Sequence, residues 1–207
     1  MPTLYHFHDC PYCYKVRLYA HERNIAFTSA LCQRDALPPE LPSLTPLMTL
    51  PVWVLDNGKP IFGSNTIVQY LEATEGGDAL FPADPMQRAR CLMADEIADA
   101  GLLQPLLEVD RLTRGKEPGD WDLPRWRTLM AKARRGLDVL EAILGGRDWL
   151  LGDKLSYADI AIALPISVVE RYGLDLSQHP GLKSLSERIE RRPSSLAARK
   201  TAAPAAT

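Results

Sequence analysis

The sequence predicts an α+β chain in two parts, a mixed domain over residues 1–76 and an all-helical domain over residues 86–193, followed by a flexible tail at 194–207. Three observations predict it. Before residue 80, short β-like runs alternate with helical periodicity. After it, every long pattern is helical. Between them, Glu75-Gly76-Gly77-Asp78 and Phe81-Pro82-Ala83-Asp84-Pro85 have the composition of a linker.

Residues 3–7 are rich in aromatic and apolar side chains and read as a strand that runs into His8-Asp9-Cys10-Pro11. Over residues 11–23, Val16, Tyr19 and Ala20 make an apolar face, with Lys15, Arg17, Glu22 and Arg23 expected toward water. Residues 25–31 are a second strand. Pro38, Pro39, Pro42 and Pro46 predict an irregular segment. Residues 51–55 and 60–62 flank Asp56-Asn57-Gly58, a hairpin turn. Ser64 is placed to cap a helix through Leu71, which completes the order β-α-β-loop-β-β-α.

In the second half, residues 86–114 read as one long helix bent at Pro105. Trp126, Leu129, Met130, Ala133, Leu137, Leu140 and Leu144 keep helical spacing. Residues 157–172 are apolar nearly all round, which predicts a buried central helix ended by Gly173. Ser156 and Asp159 form a capping box at its start, with a folding role. Pro180 opens a last helix and Pro193 stops it. The residues beyond are mostly Ala, Ser, Thr and Pro, and predict fraying.

With 24 basic and 26 acidic residues among 207, the chain has no basic field for nucleic acid. The longest apolar stretch, residues 160–166, is far short of the ~20 residues of a membrane span. The first eight residues lack the pattern of a signal peptide, so a reducing cytoplasm is the expected compartment, and the four cysteines are expected as thiols.

Cys10-Pro11-Tyr12-Cys13 follows a strand and opens a helix, the context in which C-x-x-C has a redox meaning. Pro11 suits the first helical turn and leaves Cys10 at the helix N-terminus, where unpaired N–H groups favour a thiolate. Cys13, one turn on, faces the same way and can attack a mixed disulfide on Cys10. A zinc half-site is the weaker reading of the motif, because Cys32 and Cys91 are isolated and form no second pair. A metal site using His6, His8 and Cys10 is set aside because Pro11 and the helix start point to thiol chemistry. Cys32 and Cys91 read as small buried hydrophobes, with an incidental surface thiol as the alternative for Cys32. Pro51 precedes a strand and reads as an ordinary strand-opening proline. The Gly63-Ser64-Asn65-Thr66 helix start can hold a carboxylate, although most serine caps serve only their own helix.

Together these residues resemble the glutathione S-transferase superfamily. The likeness runs from about residue 3 to 193 and rests on Cys10-Pro11-Tyr12-Cys13, on Thr45-Pro46 through Leu50-Pro51-Val52, on Gly63-Ser64-Asn65-Thr66-Ile67 with Tyr70-Leu71, and on Gly152-Asp153-Lys154-Leu155-Ser156-Tyr157-Ala158-Asp159. The resemblance implies a thioredoxin-like first domain, an all-α second domain and a homodimer. It implies a cis Pro51, a Leu50 backbone that pairs with the cysteinyl part of glutathione, and a Ser64 that holds the γ-glutamyl carboxylate. Two departures stand out. Gly63 occupies the place of a frequent Glu or Gln, and Cys10 stands where Tyr- and Ser-type members carry a hydroxyl. The chain is thus similar to the cysteine-type members and to two-domain glutaredoxins with Cys-Pro-Tyr-Cys.

The favoured function is a glutathione-dependent thiol–disulfide enzyme with catalytic Cys10 and Cys13, glutathione as co-substrate and no metal. A second reading conjugates glutathione to a small electrophile or reductively removes one, with Met93, Ile97 and Leu107 as candidates to line an apolar pocket. A third is a non-catalytic binding module, which has no need of a reactive dithiol.

Overall fold

In the computed structural model, which describes residues 1–202, strands β1 (Thr3–His6), β2 (Thr28–Leu31), β3 (Val52–Val54) and β4 (Pro60–Phe62) form one sheet in the order β2-β1-β3-β4. The β1–β2 pair is parallel, with Leu4 opposite Ser29, and helix α1 (Pro11–Glu22) makes the crossover that a parallel pair needs. The other pairs are antiparallel, with Trp53 opposite Leu4 on one side and Ile61 on the other. Pro60 starts an edge strand, where its missing N–H is tolerated. Helix α2 (Leu41–Leu44) is a short turn inside the proline-rich segment expected to be irregular; Pro42 fits its first turn and Leu41 is buried beneath it. Helix α3 (Ser64–Thr74) packs Ile67, Val68 and Leu71 inward.

The chain divides into two units. One is Met1–Ala79 together with the residues from Glu190 onward, and the other is Leu80–Ile189. Within the expected flexible tail, residues 194–201 instead continue in regular structure that belongs to the first unit. Pro193–Thr201 is a helix, α9, while residues 203–207 lie outside the described residues. Its small side chains Ser195, Ala198 and Ala202 are buried at helical spacing, which lets α9 lie close against α1. The Tyr14 and Ser195 hydroxyls are 2.7 Å apart, and Glu22 pairs with Arg192 and Ser194. A composition that predicts fraying in isolation is thus a docking face in context.

The same contact corrects the expectation that Lys15 and Arg17 face water. With α9 on one side and α3 on another, every residue from Cys13 to Ala20 is buried. Arg23 and Glu72 form a buried ion pair, joined by the Tyr19 hydroxyl.

In the second unit, the helix expected to bend at Pro105 is continuous but changes winding. Helix α4 (Pro85–Glu96) passes into a π-helical stretch, Ile97–Leu103, and then α5 (Gln104–Thr113). Pro105 cannot donate to Gly101, and the wider winding ahead of it has the Gln104 N–H on the Asp99 carbonyl. Gly101 packs against Gly136 of helix α6 (Leu123–Leu144), with the Gly101 carbonyl turned toward it. Helix α7 (Tyr157–Val168) is the apolar core helix; a 3-10 turn, Val169–Tyr172, continues it to Gly173, whose φ of +80° suits a glycine. Asp159 accepts hydrogen bonds from the Ser156 N–H and hydroxyl and from the Leu150 N–H, each at 2.8 Å. Phe81 stacks on Tyr157 with centroids 4.6 Å apart. Helix α8 (Pro180–Glu190) closes the unit through Leu182, Leu185 and Ile189. Among the described residues, no helix is long and apolar enough to cross a membrane.

A Cβ at residue 136 would lie 2.9 Å from the Gly101 carbonyl oxygen and 3.1 Å from its carbon, both backbone atoms with little room to yield. Gly136→Ala is therefore expected to destabilise the helical unit by about 1–3 kcal/mol through overpacking, despite alanine's better helix propensity. Urea unfolding followed by circular dichroism measures this, and an unchanged or raised midpoint would show that the two helices separate freely.

Candidate active site

Cys10 is the N-cap of α1, extended at φ −79° and ψ 121°, with Pro11 as the first helical residue. The Cys13 N–H approaches the Cys10 sulfur at 3.4 Å. The Leu50 carbonyl lies 3.9 Å from the same sulfur, and the Leu50–Pro51 bond is cis rather than that of an ordinary strand-opening proline. Cys10 and Cys13 thus share one buried cluster with Cys32, Leu41, Leu50 and Val52.

The two thiols of the motif are pushed in opposite directions. The Cys13 thiol, hydrogen-bonded to the Cys10 sulfur, is the largest influence holding Cys10 below the ordinary cysteine range; burial opposes it, and the Cys13 and Tyr12 N–H groups and the Arg17 charge assist. Burial pushes Cys13 well up, and its bond to Cys10 and the charge of Cys10 add to that. Both residues are buried, Cys10 at 7% exposure and Cys13 completely. Burial also raises Cys32, and it raises Cys91 to about 12.

His6 and His8 are engaged away from the cysteines. Arg17 Nη1 is 3.0 Å from His6 Nδ1, and a guanidinium only donates, so that nitrogen accepts. The imidazole proton is then on Nε2, 2.7 Å from the Ser29 hydroxyl. Burial first, and then the Arg17 charge, lower the His6 pKa to about 4. His8 Nδ1 is 2.6 Å from the Ala202 carbonyl.

Ser64 is the first residue of α3, not its cap; Gly63 holds the cap position at φ +86°, a left-handed conformation that glycine adopts without steric cost. The Ser64 hydroxyl is therefore not closing its own helix, and it donates to Asn65 Oδ1 at a long 3.4 Å. The buried Lys15 reaches the same Asn65 oxygen at 3.1 Å. A cation, a hydroxyl and helix N-terminal N–H groups thus converge on one point of the first unit, an arrangement suited to a carboxylate. Lys15 and Asn65 carried no signal as a pair, being fifty residues apart. Within the helical unit, Met93 is 58% exposed and lines a pocket of about 400 Å³ with Arg90, Ile143 and Arg147.

A mixed sheet with a dithiol at the start of its first helix makes the first unit a thioredoxin-like domain, followed by an all-helical one. Residues 4–79 match the glutathione S-transferase N-terminal domain and residues 126–193 its C-terminal domain. FtsZ-localized protein A of Caulobacter vibrioides is 32% identical over 83% of this chain and 78% of its own length. A probable maleylacetoacetate isomerase of Caenorhabditis elegans is 30% identical over 95% of this chain and 92% of its own. A crystal structure of a glutathione S-transferase from Methylobacterium radiotolerans in complex with glutathione sulfonate superposes with a TM-score of 0.86 at 27% identity, covering 95% and 93% of the two chains. The chain belongs to the glutathione S-transferase family.

Limiting iodoacetamide at about pH 7 is expected to modify Cys10 ahead of Cys13, Cys32 and Cys91, as read by peptide mapping. Because the thiolate is the nucleophile, the rate should rise with pH through a midpoint below that of an ordinary cysteine; first labelling at Cys32 or Cys91 would contradict the assignment. His6 sets a separate acid limit. Between about pH 6.5 and 4 the unfolded chain takes up a proton that folded His6 refuses, so stability is full above that window and falls as pH drops through it, by up to roughly 3 kcal/mol. His6→Asn should flatten that slope in urea titrations, and an unaltered slope would assign the acid loss to other groups.

Proposed function

We propose that this chain is a glutathione-dependent thiol–disulfide enzyme. The supporting observation is the opposite tuning of the two motif thiols, Cys10 depressed at the helix cap with the Cys13 N–H on its sulfur, and Cys13 raised one turn inside the helix. The Cys10 thiolate attacks the glutathione sulfur of a glutathionylated substrate; the new S–S bond joins Cys10 to glutathione, and the substrate leaves as a thiolate that takes up a proton. A second glutathione thiolate then attacks the same glutathione sulfur, releasing oxidised glutathione and restoring Cys10. Alternatively Cys13, once deprotonated, attacks Cys10 and expels glutathione, and the resulting Cys10–Cys13 disulfide is reduced by two further glutathiones. A cysteine thiolate is itself nucleophilic enough to attack the S–S bond of a glutathionylated substrate, taking the glutathione sulfur as the substrate thiolate leaves, which favours this chemistry over simple activation of a glutathione thiol.

In this reading the Leu50 backbone, ahead of Pro51, pairs with the cysteinyl part of glutathione next to Cys10, and the Ser64 corner takes the γ-glutamyl carboxylate. Lys15, which Asn65 orients, supplies charge near a position where Gly63 has no side chain to offer. The solved relative that carries glutathione sulfonate supports glutathione as co-substrate. A homodimer in a reducing cytoplasm is the expected assembly and setting.

The second reading is glutathione-dependent conjugation or reductive removal of a small electrophile, to which the isomerase name of the 30% identical relative adds isomerisation. A non-catalytic role is the third, and the FtsZ-localized relative shows that not every similar chain is named for an enzyme.

Reduction of a small glutathione mixed disulfide separates them. Wild type should turn over, Cys10→Ser should lose activity by about a hundredfold or more, and Cys13→Ser should retain a part of it through the glutathione-resolved route. Full activity in Cys10→Ser would remove the thiolate mechanism. An inactive wild type that isomerises or conjugates an electrophile would establish the second reading, and absence of glutathione binding would leave the third.

A further inference from the structure

Helix α9 ends in carbonyls that its own backbone does not use. The last four C=O groups of an α-helix have no partner within it and must find donors elsewhere. The Ala202 N–H, which could close the helix onto the Ala198 carbonyl, turns to the Arg199 carbonyl at 3.2 Å. Three elements of the first unit bring donors to this end. Arg17 Nε of α1 donates to the Ala198 carbonyl at 3.0 Å, and the Ser29 hydroxyl of β2 to the Thr201 carbonyl at 3.4 Å. His8 Nδ1, from the loop after β1, is 2.6 Å from the Ala202 carbonyl. A carbonyl only accepts, so His8 Nδ1 carries the proton; the imidazolium carries one there too, and the bond does not depend on the charge of His8.

Arg17 is 1% exposed, and the negative end of a helix dipole is where a cation is favoured. The same guanidinium reaches back into the loop after β1. Its Nη1 donates to the Phe7 carbonyl at 3.1 Å and its Nη2 to the His8 carbonyl at 3.3 Å. The loop is thus tied to the end of α9 twice, by its backbone through Arg17 and by the His8 side chain directly. Only Asp9 separates His8 from Cys10, the N-cap whose sulfur takes the Cys13 N–H at 3.4 Å. Where the loop is held therefore governs whether that sulfur stands over the first turn of α1.

We infer that the C-terminal end of α9 is a positioning element of the thiol site, with His8 as the positioning residue that clasps the Cys10 loop to it. Arg17 and Ser29 also bind His6, at 3.0 and 2.7 Å, so each serves the interior as well. His8 is on the exposed side, and replacing it removes the clasp while leaving the buried Arg17 network in place. The inference rests on the reading of Cys10 as a thiolate nucleophile, yet its test requires no turnover, so an inactive enzyme would leave it standing.

The test compares the pH dependence of Cys10 carboxymethylation in the full-length wild type, His8→Leu and His8→Asn, with circular dichroism as a check on folding. Both variants remove the imidazole, but the asparagine amide keeps an N–H donor near the place of Nδ1, so the difference between them reports the bond. With the clasp gone, the loop loosens and Cys10 loses part of its hold on the helix N–H groups. His8→Leu should move the Cys10 midpoint up by about 0.3 to 1 pH unit, roughly two- to tenfold less thiolate below the midpoint, and His8→Asn should recover most of that. A folded His8→Leu with the wild-type midpoint would overturn the proposal, and so would two variants shifted alike. A wild-type midpoint in the ordinary cysteine range would instead remove the thiolate reading, and this inference with it. Should His8→Leu not fold, the ¹⁵N spectrum of the wild type decides. Neutral His8 should be the Nδ1–H tautomer; the Nε2–H tautomer would leave the Ala202 carbonyl without its donor and overturn the proposal.

Discussion

Helix α1 is enclosed on the side of α3 and on the side of α9, and this enclosure underlies the rest of the first unit. A helix exposed on one face could keep Lys15 and Arg17 in water, where the solvent would screen their charges. Buried, the same side chains must find acceptors within the protein. Lys15 does so at the start of α3, and Arg17 in the loop before Cys10 and in the α9 backbone. Lys15 is thereby aimed at the corner where a carboxylate fits, and Arg17 at the carbonyls of the loop before Cys10.

The unequal character of the two cysteines has the same origin. Cys10 sits where helix N–H groups are unsatisfied, which stabilises negative charge. Cys13 sits one turn inside a packed helix, where a charge would have no solvent. The hydrogen bond between them transfers the burden, because it stabilises the thiolate of the acceptor and the thiol of the donor. A surface C-x-x-C would lack this polarisation, and its thiols would titrate more alike.

The helical unit resolves a different constraint. Pro105 removes a donor from a long helix, and the chain answers with a wider turn rather than a break. That turn presents the Gly101 backbone to α6, and only a residue without a side chain fits opposite it at Gly136. Backbone chemistry at one proline is thus linked to a glycine about thirty residues away.

Much of this could be read from the chain alone. Strand and helix periods, the cysteine motif at a strand–helix junction, the hairpin at Asn57-Gly58 and the capping box at Ser156 are local signals, set by side-chain spacing and by the groups a helix end leaves unpaired. They determined the two-part architecture and the place of Cys10. What the tertiary structure alone decided depends on neighbours distant in sequence. The stretch after Pro193 has too few large apolar side chains to mark a helix, yet its small residues fit the α1 surface. Lys15 and Arg17 have a polar pattern that signals water until α3 and α9 cover them. Gly63 takes the cap and relieves Ser64 of that role because of a backbone angle that no side chain announces. Burial and hydrogen-bond partners are properties of packed surfaces, and a one-dimensional pattern records only which surfaces are available to pack.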